Sequence, residues 1–146
     1  MNIRIHCISF LLFCFLFING TQAENISEQL KFAKLAIAHN NFEKALSHIQ
    51  FVLKSKPNHF EGLILKGKCK LQLDMYNEAL DAFNTASIAY PQEAIIFYYK
   101  GLCEWKLKRY KNAMESFDNS LLFSPDNLLA YQYLGSVYYE LNMVQL

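Results

Sequence analysis

Pro57, Pro91 and Pro125 stand 34 residues apart, and that interval governs the chain. Gly67, Gly101 and Gly135 keep it. So do Ala45, Ala79 and Ala113, the aromatics Phe42, Tyr76 and Tyr110, and the apolar series Ile49, Phe83 and Phe117. Five series in one register do not arise by chance, and a fixed period of this size signals stacked supersecondary units. Within a unit the apolar residues recur at helical spacing. Leu63, Gly67, Leu71 and Leu73 mark one helix, and Ala79, Leu80, Phe83, Ala86 and Ile88 a second. Brief polar connections, "LDMYN" and "LKRYKN", separate the two. Proline closes each unit by stopping the second helix and pushing the preceding residue out of helical geometry. No segment alternates with period two, so the expectation is an all-α fold of helical hairpins.

At these residues the chain resembles the tetratricopeptide repeat (TPR) family, in which a large apolar residue, Gly, Ala, an aromatic, a small residue and Pro recur at fixed offsets. The units run 26–59, 60–93 and 94–127, with a partial fourth at 128–146. The match is closest in the middle: Leu63, Gly67, Tyr76, Ala79, Phe83, Ala86, Pro91, then Phe97, Gly101, Tyr110, Ala113, Phe117, Ser120, Pro125. The first unit carries Gln29 and Ala33 where an aromatic and Gly are expected, and "LLAYQYLGSVYYELN" fits through its first helix. The resemblance implies a right-handed α-solenoid of helix-turn-helix hairpins, three repeats plus one additional helix. At the seventh position Lys66 and Lys100 replace leucine. At the eleventh, Lys70 and Glu104 replace an apolar residue and are placed to pair across neighbouring repeats.

One segment imitates a nucleotide site. "GLILKGKC", Gly62 to Cys69, completes a phosphate-loop pattern except that Cys69 takes the hydroxyl position. A phosphate loop follows a strand and exposes its backbone N–H groups, whereas this stretch spends them within a helix. Gly67 is in register with Gly101 and Gly135, neither of which carries the rest of the pattern. Its role is structural: a missing Cβ lets the partner helix approach, against a helix-propensity cost of about 1 kcal/mol.

The opening residues form a separate object. "MNIR" is positively charged, "ISFLLFCFLFI" is apolar, and "NGTQAEN" supplies small residues at Thr21 and Ala23, as a signal-peptidase site requires. The apolar run spans about half of a bilayer core, which needs roughly 20 residues. Residues 1–23 are therefore expected to be a cleaved signal peptide and 24–146 the repeat array, in the periplasm or secreted. The other readings are an endoplasmic-reticulum lumen and an uncleaved membrane anchor. Asn25-Ile26-Ser27 is a glycosylation sequon that matters only in a eukaryotic secretory pathway. Cleavage removes Cys7 and Cys14. Cys69 and Cys103 recur at one repeat position, and packed helices about 8–10 Å apart exceed the α-carbon limit of about 7 Å for a disulfide, so both are expected as small core residues.

A net charge of +1 provides no field for nucleic acid or an anionic membrane. His39, His48 and His59 lack metal-ligand spacing, and Asp81, Glu115 and Asp118 fall on outward faces. Nothing assembles a nucleophile, a base and an oxyanion site, so neither an enzyme, a cofactor, a metal nor a small-molecule substrate is expected.

Stacked hairpins leave an extended concave surface. In the family that surface is lined by first helices, at offsets that advance by three or four residues along one helical stripe. Carried onto this chain, the stripe gives Lys34, Lys68, Tyr98, Tyr99, Leu102, Trp105, Tyr133 and Tyr139 as peptide-binding residues, basic toward the amino end and aromatic toward the carboxy end. A partner with an acidic end and an apolar segment suits it. The family's clamp for chaperone carboxylates is incomplete, since Leu30 stands where its first lysine belongs and Lys34 where its asparagine belongs. Tyr138, Leu141, Met143, Val144 and Leu146 of the last helix lack a partner helix, so the expectation is a fragment of a longer array or, alternatively, an end that docks onto another chain, self-association included. The reading is an exported, non-catalytic adaptor or scaffold for a protein or peptide. Its rivals are the recruiting part of a larger enzyme and an endoplasmic-reticulum co-chaperone.

Overall fold

The computed structural model describes residues 25–144 as a succession of helices, with no strand among the described residues. α1 spans residues 25–38. It is followed by α2 (Phe42–Ser55), α3 (Phe60–Gln72), α4 (Tyr76–Ala89), α5 (Ala94–Lys106), α6 (Tyr110–Phe123) and α7 (Leu128–Val144). Odd-numbered helices are the first members of the expected units and even-numbered helices the second. The leader expected over residues 1–23 lies outside the described residues.

Local signals set the boundaries. The Asn41 side chain accepts the Lys44 N–H at 3.1 Å to cap α2, and the Asn127 side chain accepts the Ala130 N–H at 3.2 Å at the start of α7. His59 Nδ1 accepts the Gly62 N–H at 3.2 Å to cap α3. Pro57, Pro91 and Pro125 all lie in the turns between units.

The turn inside each hairpin has its own device. Asn40, Asp74 and Lys108 adopt left-handed conformations with φ of 55°, 56° and 58°. The next residue then folds back onto the helix just ended: Asn41 N–H to Ala36 O at 2.9 Å, Met75 to Lys70 at 2.9 Å, Arg109 to Glu104 at 2.8 Å. This closure satisfies carbonyls that a helix end would otherwise leave free.

Packing runs along the chain. Contacts between consecutive helices dominate, from α2 against α3 through α6 against α7. First helices also touch the next first helix, α3 with α5 and α5 with α7. That extra approach places the first helices on the tighter, inner side of the stack. Between the layers, Ala45, Ala79 and Ala113 are fully buried, as are Ile49, Phe83 and Phe117. Each large side chain so buried contributes about 1.5–3 kcal/mol.

The glycine series behaves as expected in two of its three members. A Cβ on Gly67 would stand 2.6 Å from Phe83 Cε1, and one on Gly101 would stand 2.8 Å from Phe117 Cδ1. Each glycine is the seat of its own repeat's phenylalanine ring. At Gly135 a Cβ would meet nothing within 4 Å.

The expected pairing of Lys70 with Glu104 does not form. Lys70 Nζ instead reaches Glu78 Oε2 at 2.6 Å, and Glu104 Oε2 accepts the Ser116 hydroxyl at 2.6 Å. Both eleventh-position side chains turn to the second helix of their own hairpin, which is nearer than the next repeat. Leu141 is another correction, because it packs among Val137, Phe117 and their neighbours rather than lacking a partner.

Cys69 and Cys103 are buried free thiols, as the repeat register required. Burial pushes them up to about 11 and about 12 respectively, against coulombic relief from Lys68 for Cys69. Such thiols are inert.

Candidate interaction face on the first helices

Because α3, α5 and α7 lie side by side, residues at matching positions on them converge on one concavity of about 310 Å³. Its wall includes Lys68 and Leu71 from α3, Tyr99, Leu102 and Lys106 from α5, and Tyr133 from α7. Four of the eight residues expected from the sequence, Lys68, Tyr99, Leu102 and Tyr133, are thereby brought together. The volume falls at the low end of the range for ligand sites, about 300–1,000 Å³.

The aromatic members are braced against one another. Tyr133 stacks on Phe117 with centroids 5.8 Å apart and meets Trp105 edge-on at 5.4 Å. Tyr99 stacks on Phe83 at 5.2 Å. Phe83 and Phe117 are the rings seated on Gly67 and Gly101, so the wall rests directly on the hairpin cores. Lys68 lies over the Tyr99 ring with its ammonium 5.6 Å from the centroid, and Lys106 is placed similarly over Trp105 at 5.2 Å. Cations held against ring faces are attracted by the ring quadrupole and remain at the surface to meet a carboxylate.

The other expected residues take different places. Tyr98 is only 8% exposed and packs between Phe117, Tyr99 and Tyr133, so it supports the wall from behind. Burial, then the neighbouring phenols of Tyr133 and Tyr99, push its own phenol up. Tyr139 is open to solvent further along α7 and does not line the concavity. Lys34, on α1, is held by Glu61 at 2.6 Å, which neutralises the basic amino end read from the sequence.

Some lining residues were not foreseen. Lys106 is one turn beyond Leu102, a spacing that continues the stripe. Leu71 and Gln72 join it from the end of α3. Asp74 comes from the α3–α4 turn and Tyr76 opens α4, and the Tyr76 hydroxyl donates to Asp74. That hydrogen bond, with lesser help from burial and the adjacent negative charge, pushes the Tyr76 phenol up. Position along a first helix could have signalled Lys106, but only the left-handed turn at Asp74 brings the other two round.

Among the described residues, no group of three or more His, Cys, Asp or Glu side chains is placed to hold a metal ion. His39 contacts the Leu35 carbonyl, His48 the Gln29 side chain, and His59 caps α3. Asp81, Glu115 and Asp118 are exposed. Among the described residues, no helix is long and apolar enough to cross a membrane.

Helix pairs stacked in sequence order, with first helices forming a common inner wall, define a helical-repeat solenoid. The sequence model of the TT21 fifth ARM repeats domain matches residues 27–122, more than half of the chain. The chain belongs to that family of helical repeats, and its units are of the tetratricopeptide kind. No curated protein sequence matches it.

Solved structures share the fold. The first TPR of Spaghetti (RPAP3), bound to the HSP90 peptide SRMEEVD, superposes with a TM-score of 0.79 at 13% identity, covering 82% of this chain and 94% of that one. The Sgt2 TPR domain from Aspergillus fumigatus gives 0.78 at 14% identity, covering 82% and 81%. MamA from Desulfovibrio magneticus RS-1, residues 41 to the end, gives 0.76 at 21% identity, covering 80% and 66%.

Proposed function

We propose that this chain is a non-catalytic adaptor that holds a protein or peptide segment on its concave face. The observation that carries the reading is the convergence of Lys68, Tyr99, Leu102 and Tyr133 on one concavity, with Lys106 and the Trp105 ring beside it. Fixed aromatic rings offer large contact area at small entropic cost, and tryptophan and tyrosine are enriched among residues that carry binding energy. The two lysines select a carboxylate next to an apolar or aromatic side chain.

The peptide-bound Spaghetti domain supports peptide capture as a use of this architecture. A chaperone-tail clamp is not the version favoured here. Leu30, at the position where that clamp needs its first lysine, is buried, and Lys34 is committed to Glu61. The leader-like opening sequence supports an extracytoplasmic site of action, in a periplasm or secretory lumen.

The test begins with capture of partners from the exported fraction and isothermal titration of the binding segment. Trp105→Ala and Tyr99→Ala should each weaken binding about thirtyfold or more, the loss of one anchor of roughly 2 kcal/mol, with far-UV circular dichroism unchanged. Unaltered affinity in both variants sinks the proposal.

A further inference from the structure

A cavity of about 510 Å³ lies where α2, α3 and the start of α4 meet. Leu46, Ile49 and Leu53 of α2 give it an apolar side, while Lys54, Lys66, Lys70 and Glu78 supply charge. It shares no lining residue with the concave wall around Tyr99. Three ammoniums thus stand against one carboxylate. Lys70 is already committed, because its Nζ reaches Glu78 Oε2 at 2.6 Å. Among the described residues, neither Lys54 nor Lys66 is paired with a carboxylate.

Lys66 is the informative member. The same register position holds Phe32 in the first unit and Leu134 in the fourth, so it is a place for apolar side chains. An ammonium half-buried at such a place costs desolvation unless an anion meets it. One unit on, the chain supplies the remedy itself. Lys100 occupies the equivalent position, lies 5.8 Å from the Phe97 ring centroid, and interacts coulombically with Glu104 one turn along α5. The second unit has Leu63 in place of Phe97 and Lys70 in place of Glu104, so Lys66 has neither the ring nor the acid. Lys54 and Glu78 correspond to Ile88 and Asn112. The later junction therefore sets one lysine against one acid, whereas this cavity keeps two positive charges in excess.

That excess and the apolar side together define a ligand. Ammoniums from two different helices suit a doubly charged group, and a phosphate monoester carries about −1.5 to −2 near neutral pH with three acceptor oxygens. A carboxylate brings a single charge and leaves one ammonium unmatched. Lysine binds phosphate as a point charge, without the planar fork that favours carboxylates. The volume falls within the range of small-ligand sites, about 300–1,000 Å³.

We infer that this cavity is a second binding site, which takes a phosphate monoester with an apolar body. The phosphate sits between Lys54 and Lys66, and the body lies against Leu46, Ile49 and Leu53. Its occupation does not depend on the peptide-holding reading. An anion bridging α2 and α3 ties the first unit to the second, so the ligand also stiffens the amino-terminal junction of the stack.

The probe is phenyl phosphate, titrated calorimetrically into the full chain beside inorganic phosphate and phenol, its separate halves. Saturable binding is expected, about tenfold or more tighter than either half because head and body each contribute, and weaker as salt rises. Lys66→Gln and Lys54→Gln should each weaken it about tenfold or more, the loss of one charge-assisted contact. Lys54 is exposed, so its replacement leaves the fold intact, which far-UV circular dichroism checks. Lys100→Gln, at the balanced junction, should leave the binding unchanged. Vesicles of phosphatidylcholine doped with phosphatidate form a further arm. Retention on them as well, abolished by Lys66→Gln, assigns the phosphate to a lipid headgroup, and phenyl phosphate binding without retention assigns it to a soluble molecule. The inference is overturned if phenyl phosphate binds no more tightly than inorganic phosphate, or if its binding is indifferent to both lysine substitutions.

Discussion

Replacing each repeat glycine by alanine should change stability in opposite directions along the chain. At Gly67 the new methyl would stand 2.6 Å from Phe83 Cε1, and the Phe83 ring is fully buried with nowhere to swing. Overpacking of that sort costs about 1–3 kcal/mol, while removing a mid-helix glycine returns about 1 kcal/mol of helix propensity. Gly67→Ala is thus expected to destabilise by about 0–2 kcal/mol. At Gly135 the methyl meets nothing, so only the propensity gain of about 0.5–1 kcal/mol remains. Urea unfolding followed by far-UV circular dichroism measures both, at unchanged m-value. A cycle with Phe83→Leu isolates the contact, because trimming the ring should relieve Gly67→Ala by about 1 kcal/mol or more. If Gly67→Ala stabilises as much as Gly135→Ala, the phenylalanine–glycine seat is not what sets the hairpin spacing.

Two further outcomes follow from single residues. Burial raises the carboxyl pKa of Glu104, with the Ser116 hydrogen bond opposing it, so the folded state binds more protons than the unfolded one between the ordinary carboxyl pKa and the raised value. Stability contributed by protonation there is present below that window and is lost as pH rises through it. Glu104→Gln should therefore remove this pH dependence and stabilise at neutral pH, as read from urea midpoints across pH. Lys108 holds a left-handed conformation that asparagine and aspartate occupy in the other two hairpins. Lys108→Gly should stabilise by about 1 kcal/mol, whereas an unchanged midpoint would mean that this turn carries no strain.

The architecture was legible because it is periodic. Five series repeated at one interval reveal hairpins, their turns and their buried rings without any knowledge of distances. The site was legible only in part, since a stripe on one helix says which side chains share a face and nothing about what stands opposite. Lys34 lies on the expected stripe, yet its charge is met by Glu61 from the next unit. Lys70 and Glu104 look complementary at matching positions, but each finds a closer partner inside its own hairpin. Tyr98 follows the stripe and is turned inward by neighbouring rings. Asp74 and Tyr76 enter the wall through a turn conformation that helical spacing cannot anticipate.

Contact confined to sequence neighbours has a consequence for how such a protein changes size. The seam between α4 and α5 involves residues from adjoining units, and among the described residues the main helix contacts are with neighbouring helices. Duplicating one whole unit in the gene would lay down another seam of the same kind while leaving the existing ones intact. Growth or loss by units is therefore the least disruptive large change open to this chain, and reach along a partner can be tuned without redesigning a core.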